Sequence, residues 1–297
     1  MDYFQRVLDA LKSQTLPSSQ WELLLVDNQS KPPLSQTVDL SWYRQARVVV
    51  ESSPGIAAAR ARAMREFASE LLLFVDDDNV LVPDYLENAL RIANSFPQMG
   101  AFSGQLHAEL EKEPPPELRP HLGLLALREF DRDAWSNFPL EVGHTPVTAG
   151  MCLRRPVAEA YLKTLAARPA GVTVGSAGKN FLRGEDDDIC YSAQTVNLGV
   201  GMFKDLRLTH LIPAERLTEE YLCGLTEGIV YSGYIVSYLW KKPVRPPVPS
   251  LRSRLSYWRQ YSKMSRLEKR FADARVRAEQ RAWETIRELE KLSAKNG

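Results

Sequence analysis

Two short apolar runs that each end on aspartate constrain the fold of this chain most strongly. Trp21–Val26 (WELLLV) precedes Asp27, and Leu71–Val75 (LLLFV) precedes three consecutive aspartates at positions 76–78. Each run has the length of a buried strand, and such runs are typical of parallel sheets that are covered by helices. Ligands of these sheets bind outside the carboxyl ends of the strands. The aspartates therefore mark a predicted functional site.

Helical and extended patterns alternate along the rest of the first 240 residues. Helices are predicted for residues 3–11, Ile56–Ser69, 83–96 and Pro156–Ala167. Further strands are predicted for Val48–Val50, Ala101–Leu106 and Leu206–Ile212. This alternation predicts an α/β domain over residues 1–240, with a mainly parallel, Rossmann-like sheet flanked by helices.

The charge of the chain is unevenly distributed. The 38 Lys/Arg and 37 Asp/Glu give a net charge of +1, but residues 251–297 alone carry 13 Lys/Arg and six Asp/Glu. The main body is therefore acidic, which argues against a nucleic-acid partner. A Pro-rich basic linker is predicted over residues 241–254. One long charged helix is predicted for 255–292, within a basic amphipathic tail over 255–297.

The apolar stripe of this tail allows three interpretations. It can pack against the main body, bind an anionic membrane surface, or pair with a second helix. The most apolar uncharged segment, Gly228–Trp240, is shorter than the roughly 20 residues that a membrane-spanning helix needs. Three widely spaced cysteines suit neither a disulfide framework nor a four-cysteine zinc site, so a cytoplasmic location is expected.

Acidic residues are the main candidates for chemistry. The three aspartates at 76–78 suit Mg²⁺ or Mn²⁺, although a solvated strand-end turn is the alternative. A second acidic group, Glu185–Asp188, begins a predicted helix and either supplies a general base or is an ordinary acidic first turn. His210 is either a ligand or a structural histidine. Arg60 is placed to meet a diphosphate, or is a surface arginine.

In this order, the elements resemble the family 2 glycosyltransferases, which have the GT-A fold. The resemblance covers roughly residues 3–215 and is carried by the segments LLLVDNQS, PGIAAARARA, LLLFVDDDNVLVPDYL, TAGMCLRR, GEDDDICYSAQ and LRLTHLIP. It implies a metal-dependent, inverting transfer of a sugar from a nucleotide-diphosphate donor to an acceptor hydroxyl. The acceptor would be a glycan or a lipid-linked molecule in bacterial surface polysaccharide or glycoconjugate synthesis.

The resemblance also implies roles for individual residues. Asp186 would be the catalytic base, and Glu185 would orient it or the acceptor. The implied nucleotide-sugar contacts are Asp27, Arg60, Asp76 and Asp77. The implied Mn²⁺ or Mg²⁺ ligands are Asp78, Asp76 and His210, of which Asp76 and Asp78 form the DxD pair. Gly150 and Met151 would lie on the acceptor side, with specificity set by loops such as 107–147 and 168–183. The donor would be a UDP-, GDP- or dTDP-sugar. If the acceptor is lipid-linked, the membrane-binding interpretation of the tail would place the enzyme at the inner face of the cell membrane.

Other functions predict features that differ from this pattern. A nucleotidyltransferase would need a glycine-rich, lysine-bearing phosphate loop near the N-terminus, and an aspartyl-phosphate phosphatase would carry its acids after the first strand. A catalytically impaired sugar-nucleotide-binding pseudoenzyme or scaffold is the remaining alternative. It gains weight because similar enzymes begin with an apolar strand that is missing before residue 3. We therefore expect the natural protein to begin about 10–25 residues upstream, the length of one strand and a turn.

Overall fold

The computed structural model describes residues 3–137, 145–168, 172, 175, 182–244 and 251–296. The strands are β1 (Leu23–Asp27), β2 (Ala46–Val50), β3 (Leu71–Leu73), β4 (Asn79–Leu81), β5 (Met99–Leu110), β6 (Ala134–Ser136), β7 (Cys152–Arg154) and β8 (Gly199–Ile212). The helices are α1 (Tyr3–Lys12), α2 (Leu34–Thr37), α3 (Ile56–Glu66), α4 (Tyr85–Ser95), α5 (Arg155–Ala166), α6 (Glu185–Thr195), α7 (Glu219–Leu239), α8 (Leu251–Lys263) and α9 (Arg266–Asn296). This is the expected α/β architecture with a helical C-terminal region.

The strands form two sheets. β1 pairs with β2 in parallel, while the larger sheet has the order β3-β7-β5-β8-β4, with β6 also on β8. The long β5/β8 ladder is parallel, and the ladders β3/β7, β5/β7, β4/β8 and β6/β8 are antiparallel. The two parallel ladders contain more paired residues than the four short antiparallel ones. The sheet is therefore mostly, but not purely, parallel.

Alternation along the strands fills a core on each face of the sheet. Phe102 and Leu106 of β5 join the cluster formed with α1 and α4, whereas Ala101 joins the cluster formed with α3, α5 and α6. Successive side chains of a strand point to opposite faces, so one strand contributes to both cores. Helices on the two faces hold the sheet rigid, and the strand ends that carry the acids are positioned by it.

β1 and β3 are not paired with each other in the described parts of the chain, although both contribute to the same two clusters. Leu23 and Leu71 pack in one cluster, and Leu24 and Leu72 pack in the other. The apolar residues of both strands are only partly buried. An additional strand before α1 stays a prediction.

The strands β5 and β8 are longer than the sequence pattern predicts. Gly104 lies within β5 at a register irregularity, and a Cβ atom there would come within 1.9 Å of the Leu206 carbonyl oxygen. Glycine allows this close backbone approach, which is a common reason for glycine inside a strand. Gly104 and the bulge interrupt the alternation of inward- and outward-facing residues from which the shorter strands were predicted.

The single C-terminal helix predicted for 255–292 is wrong, because the segment forms two helices. The break follows Met264, where Ser265 and Glu268 form a capping box: the Glu268 N–H donates to Ser265 Oγ at 3.2 Å, and the Ser265 N–H donates to Glu268 Oε2 at 2.7 Å. Such a box starts a new helix. α8 begins at Leu251, inside the predicted linker, and residues 245–250 lie outside the described part of the chain.

The two C-terminal helices have different environments. The stripe of α9 that includes Ala274, Ala278, Ala282 and Ile286 is buried, and it packs along α7. In α8, by contrast, Leu255 and Trp258 are 65% and 66% exposed. No helix in the described ranges is long and apolar enough to cross a bilayer.

Candidate active site

Arg60 joins the two acidic groups that the sequence analysis treats separately. Its Nη1 donates to Glu185 Oε2 at 2.8 Å, and its Nη2 donates to Asp76 Oδ1 at 2.8 Å. The guanidinium is supplied by α3, Asp76 follows β3, and Glu185 begins α6. Three elements that are distant in sequence are thereby held at one edge of the sheet.

Burial and charge act in opposite directions in this group. Burial alone would lower the pKa of Arg60, but the charges of Asp76 and Glu185 more than offset this and raise it. Burial raises the pKa of Glu185 above its ordinary value, and the Arg60 guanidinium partly opposes that rise. A buried arginine between two carboxylates satisfies both only while the geometry is kept. Arg60 therefore acts here as a positioning residue for both acids.

Asp186, the second residue of α6, has a different environment from Glu185. Its Oδ1 accepts hydrogen bonds from the Thr148 hydroxyl at 2.7 Å and from the Thr148 backbone N–H at 3.2 Å. The carboxylate is only half-buried, so its other oxygen can reach a bound molecule. The adjacent Asp187 has a pKa raised to about 7, chiefly by burial and next by the Asp186 charge.

Asp78 and His210 meet on neighbouring strands. His210 lies on β8 opposite Asn79, the first residue of β4, and its Nε2 is 3.4 Å from Asp78 Oδ2. Arg216 enters the same place: its Nη1 is 2.8 Å from Asp78 Oδ2 and 3.3 Å from His210 Nε2. Burial would raise the pKa of Asp78, but His210 and Arg216 together hold it below its ordinary value.

The first and third of the three aspartates thus have different partners, since Asp76 binds Arg60 and Asp78 binds Arg216. Asp77 between them is exposed. Neighbouring groups nevertheless partly desolvate its carboxylate, and this desolvation, with the charges of Asp78 and Asp76, raises its pKa. Excess negative charge at this edge favours a cationic partner.

The residues fit a divalent cation as a partial ligand set. No three His, Cys, Asp or Glu side chains converge on one point in the described residues. Asp78 Oδ2 and His210 Nε2 do converge, and Mg²⁺ and Mn²⁺ commonly use one or two protein ligands together with substrate phosphates and water. The buried Nδ1 of His210 and Oδ1 of Asn79 have no hydrogen-bond partner among the described residues.

Asp27 and Asn28 shape the loops at the ends of β1 and β2. Asp27 is buried, and its two carboxylate oxygens accept from the backbone N–H groups of Ser30 and Leu34, each at 2.9 Å. These bonds lower its pKa. Asn28 accepts from the Gly55 N–H at 2.8 Å and donates to the Glu51 carbonyl at 3.0 Å, so it ties the β1 loop to the start of α3. A nucleotide contact for Asp27 stays a prediction.

The acceptor-side residues differ in what they can present. Gly150 has a φ of +73°, and its carbonyl accepts from the Tyr85 hydroxyl at 2.7 Å. Met151 is fully buried in the core on the α3/α5/α6 side. Its backbone carbonyl and N–H are bonded to Phe74 and Thr148, at 2.9 and 3.1 Å, so an acceptor-side role for Met151 stays a prediction. Parts of the proposed specificity loops 107–147 and 168–183 lie outside the described residues.

Comparison with known proteins agrees with this geometry. Residues 1–145 match the family model described as glycosyl transferase family 2. The match covers just under half of the chain, so residues 1–145 are similar to this family, and the α/β fold described above agrees with that similarity. The sequence has no significant match among curated proteins.

Similar solved structures come from S. aureus TarS. A crystal structure of TarS residues 1–349 is 15% identical, covers 94% of this chain and 77% of its own, and has a TM-score of 0.50. Another TarS structure is 13% identical, with coverage of 96% of this chain and 52% of its own and a TM-score of 0.51. At these identities the likeness concerns the fold.

Three residues that bond to the acids and loops of the site were not predicted from the sequence. Arg216, Thr148 and Asn28 have no predicted role from pattern alone, because arginine, threonine and asparagine are common in loops and turns. Arg216 follows His210 by only six residues. That closeness to a candidate ligand was the one available signal.

Proposed function

We propose that the chain is a divalent-cation-dependent, inverting glycosyltransferase in which Asp186 is the catalytic base. The observation that carries this proposal is the division of the acids into two groups. Asp186 is held by Thr148 at the start of α6, while Asp78 and His210 meet on the β4/β8 side, and Arg60 connects the groups through Glu185 and Asp76. Inverting transfer needs a base on one side of the sugar and charge neutralisation on the other.

The proposed donor is a UDP-, GDP- or dTDP-sugar, whose diphosphate lies near Asp76, Asp77 and Asp78 and whose base lies near the Asp27 loop. A divalent cation on Asp78 and His210 would offset the charge of the leaving diphosphate. Arg60 keeps Asp76 and Glu185 oriented, and through Glu185 it fixes the first turn of α6.

Asp186 then accepts the proton of the acceptor hydroxyl. The hydroxyl oxygen forms a bond to the anomeric carbon while the bond from that carbon to the diphosphate oxygen breaks. The nucleotide diphosphate leaves with the electron pair, and the configuration at the anomeric carbon inverts. Thr148 holds the Asp186 carboxylate in place through its hydroxyl and its backbone N–H.

The first test is nucleotide binding followed by transfer. Calorimetry with UDP, GDP, dTDP and CMP, each with and without Mn²⁺, identifies the donor nucleotide, and sugar transfer is then measured with the corresponding donor. We expect Asp186→Asn to lower kcat by about 10²- to 10⁴-fold, the usual contribution of a general base. Nucleotide affinity should change less than twofold.

Asp187→Asn is the matched control, because it makes the same carboxylate-to-amide change at the next position of α6. It should retain most of the transfer activity. Equal losses in the two variants would contradict the assignment of Asp186 as the base. Nucleotide binding without transfer to any acceptor would instead favour the sugar-nucleotide-binding alternative.

We further propose that α8 brings the enzyme to an anionic membrane surface at the cytoplasmic face, where a lipid-linked acceptor would be available. Leu255 and Trp258 are exposed on α8, and Arg259 and Lys263 lie beside them on the same helix. Apolar side chains flanked by basic ones suit an interfacial helix. The stripe of α9, by contrast, is already buried against α7.

Vesicle sedimentation tests this membrane contact. The double variant Leu255→Ser/Trp258→Ser should bind phosphatidylglycerol vesicles about tenfold or more weakly than the wild type, since two exposed apolar side chains are removed. Trp135→Ser is the matched control, because Trp135 is also exposed but lies on β6. Unchanged binding in the double variant, or equal binding to phosphatidylcholine vesicles, would refute the proposal.

A further inference from the structure

Arg216 occupies the point on which two candidate ligand atoms converge. Asp78 Oδ2 accepts from its Nη1 at 2.8 Å, and His210 Nε2 lies 3.3 Å from the same nitrogen. An arginine N–H can only donate, so the tautomer of His210 with its proton on Nδ1 accepts this contact through the Nε2 lone pair that would bind a metal, whereas the other tautomer donates from Nε2 to Asp78 Oδ2, 3.4 Å away. A divalent cation about 2.0–2.1 Å from its ligand atoms would overlap the guanidinium.

The other contacts of Asp78 leave Arg216 as its main counter-ion. Asp78 Oδ1 accepts from the Asn79 side chain at 2.9 Å, and the Asp78 backbone carbonyl accepts from the Leu211 N–H at 2.8 Å. These bonds fix the carboxylate on the sheet. The Arg216 side chain, by comparison, is 33% exposed, so its guanidinium can move while Asp78 stays in place.

The position of Arg216 along the chain favours such movement. It lies in the short 3-10 segment Ala214–Leu217, between the end of β8 and the start of α7. Leu217 anchors this segment in the core, and Thr218 caps α7 by accepting from the Tyr221 N–H. Rotation of one side chain therefore suffices, with the backbone held on both sides.

We propose that Arg216 is an internal counter-ion. In the free enzyme its guanidinium pairs with Asp78 beside His210, and when the donor binds, the guanidinium moves to pair with the donor's diphosphate. Cation binding to Asp78 and His210 thereby becomes conditional on the nucleotide. An arginine that leaves a carboxylate needs another anion, and a diphosphate provides paired oxygens at suitable spacing. This inference rests on the proposed function, because it takes a nucleoside diphosphate as the donor's leaving group.

The test measures Mn²⁺ binding without any turnover. Electron paramagnetic resonance of the full chain quantifies free Mn²⁺ in the absence of nucleotide for the wild type and for Arg216→Gln. We expect the variant to bind Mn²⁺ at least about tenfold more tightly, because a fixed positive charge has been removed from the ligand pair. UDP, GDP or dTDP should tighten Mn²⁺ binding in the wild type and should have a much smaller effect in the variant.

Two further variants make the result specific. Asp78→Asn combined with Arg216→Gln should abolish the gain, which assigns it to Asp78. Arg91→Gln removes the same charge from an exposed pair with Asp205 on the surface and should leave Mn²⁺ affinity unchanged. Circular dichroism and melting temperature confirm that each variant is folded.

The inference is overturned if Mn²⁺ affinity without nucleotide differs by less than about twofold between the wild type and Arg216→Gln, including the case in which neither binds. The proposed function is judged separately, by whether the wild type binds any nucleoside diphosphate in calorimetry. Nucleotide binding with unchanged Mn²⁺ affinity would therefore reject the counter-ion alone.

Discussion

Arginine side chains decide how the acids of this site are divided. Arg60 forms ion pairs with Asp76 and Glu185, while Arg216 forms one with Asp78 beside His210. Asp186 and Asp187 do not belong to these ion pairs, and the Thr148 hydroxyl donates to Asp186. His210 and Arg216 hold the pKa of Asp78 below its ordinary value, whereas burial raises the pKa of Asp187 to about 7. The two halves of the proposed chemistry are separated in this way.

The raised pKa of Asp187 predicts how stability depends on pH. Its pKa rises from 3.8 in the unfolded chain to about 7 in the folded one, so the folded state binds this proton more tightly. The resulting stabilisation is complete below pH 3.8 and is lost as pH rises through 7. Asp187→Asn should therefore raise the melting temperature at pH 8 by a few degrees, about 2–4 °C for each kcal/mol, and change it little at pH 4.

Asp205→Asn is the control of opposite sign, measured by calorimetry at both pH values. Hydrogen bonds from Lys204 and Arg91 lower the pKa of Asp205, so its stabilisation is present at high pH and lost as pH falls. This variant should melt lower than the wild type at pH 8. A pH-independent effect of Asp187→Asn would contradict the assigned shift.

At the scale of elements, the site depends on short segments with unusual backbones. Gly150 turns the chain between Thr148 and β7 with a left-handed φ, and this turn holds the Asp186 partner against α6. Tyr85 of α4 is fully buried beneath it and donates to the Gly150 carbonyl. The turn therefore connects the core around α4 with Thr148, which bonds to the proposed base Asp186.

Gly150→Ala should destabilise the fold measurably. The new Cβ would lie 2.5 Å from the Tyr85 hydroxyl oxygen and 2.6 Å from Leu208, at a φ that costs about 1–2 kcal/mol for a residue with a side chain. We expect a loss of at least about 2 kcal/mol in the free energy of unfolding by urea. A neutral result would show that the turn is not constrained as described.

Gly233→Ala is the matched substitution in α7. Its Cβ would meet no atom within 4 Å, so the change should stabilise the helix by about 0.4–1 kcal/mol. The opposite signs of the two glycine variants separate the special turn from the general effect of glycine.

At the scale of the whole molecule, the C-terminal region belongs partly to the catalytic body. α9 runs along α7, with Ile286 and Ala282 in a cluster that also contains Tyr191 of α6 and Ile235 of α7. The first turn of α6 contains the proposed base, Asp186. The packing of α9 against α7 and α6 therefore stabilises the helix that carries this residue. In α8, by contrast, the described side chains from Leu255 to Lys263 are nearly all exposed.

Removing one side chain from α9 should therefore have a larger effect than removing one from α8. Ile286→Ala should lower the free energy of unfolding by about 2–4 kcal/mol, because it leaves a cavity between α9 and α7. Trp258→Ala should change it by no more than about 0.5 kcal/mol. Urea titration followed by circular dichroism measures both, and equal effects would contradict the packing of α9.

The sequence by itself determined the order of strands and helices and the places where acids follow strands, because both follow from local periodicity and from the turn residues between segments. It also marked Asp78, Asp186 and His210 as candidates. Even the break between α8 and α9 was signalled by Ser265 and Glu268, and the continuous amphipathic pattern obscured it.

Only the tertiary structure decided which charges meet. The Arg60–Glu185 bond joins residues 125 positions apart, and the Arg216–Asp78 bond joins residues 138 positions apart. Which of several arginines reaches which carboxylate depends on strand order and on helix packing across the sheet. Those distances are set by the burial of apolar faces far from the site, and no local pattern of residues specifies them.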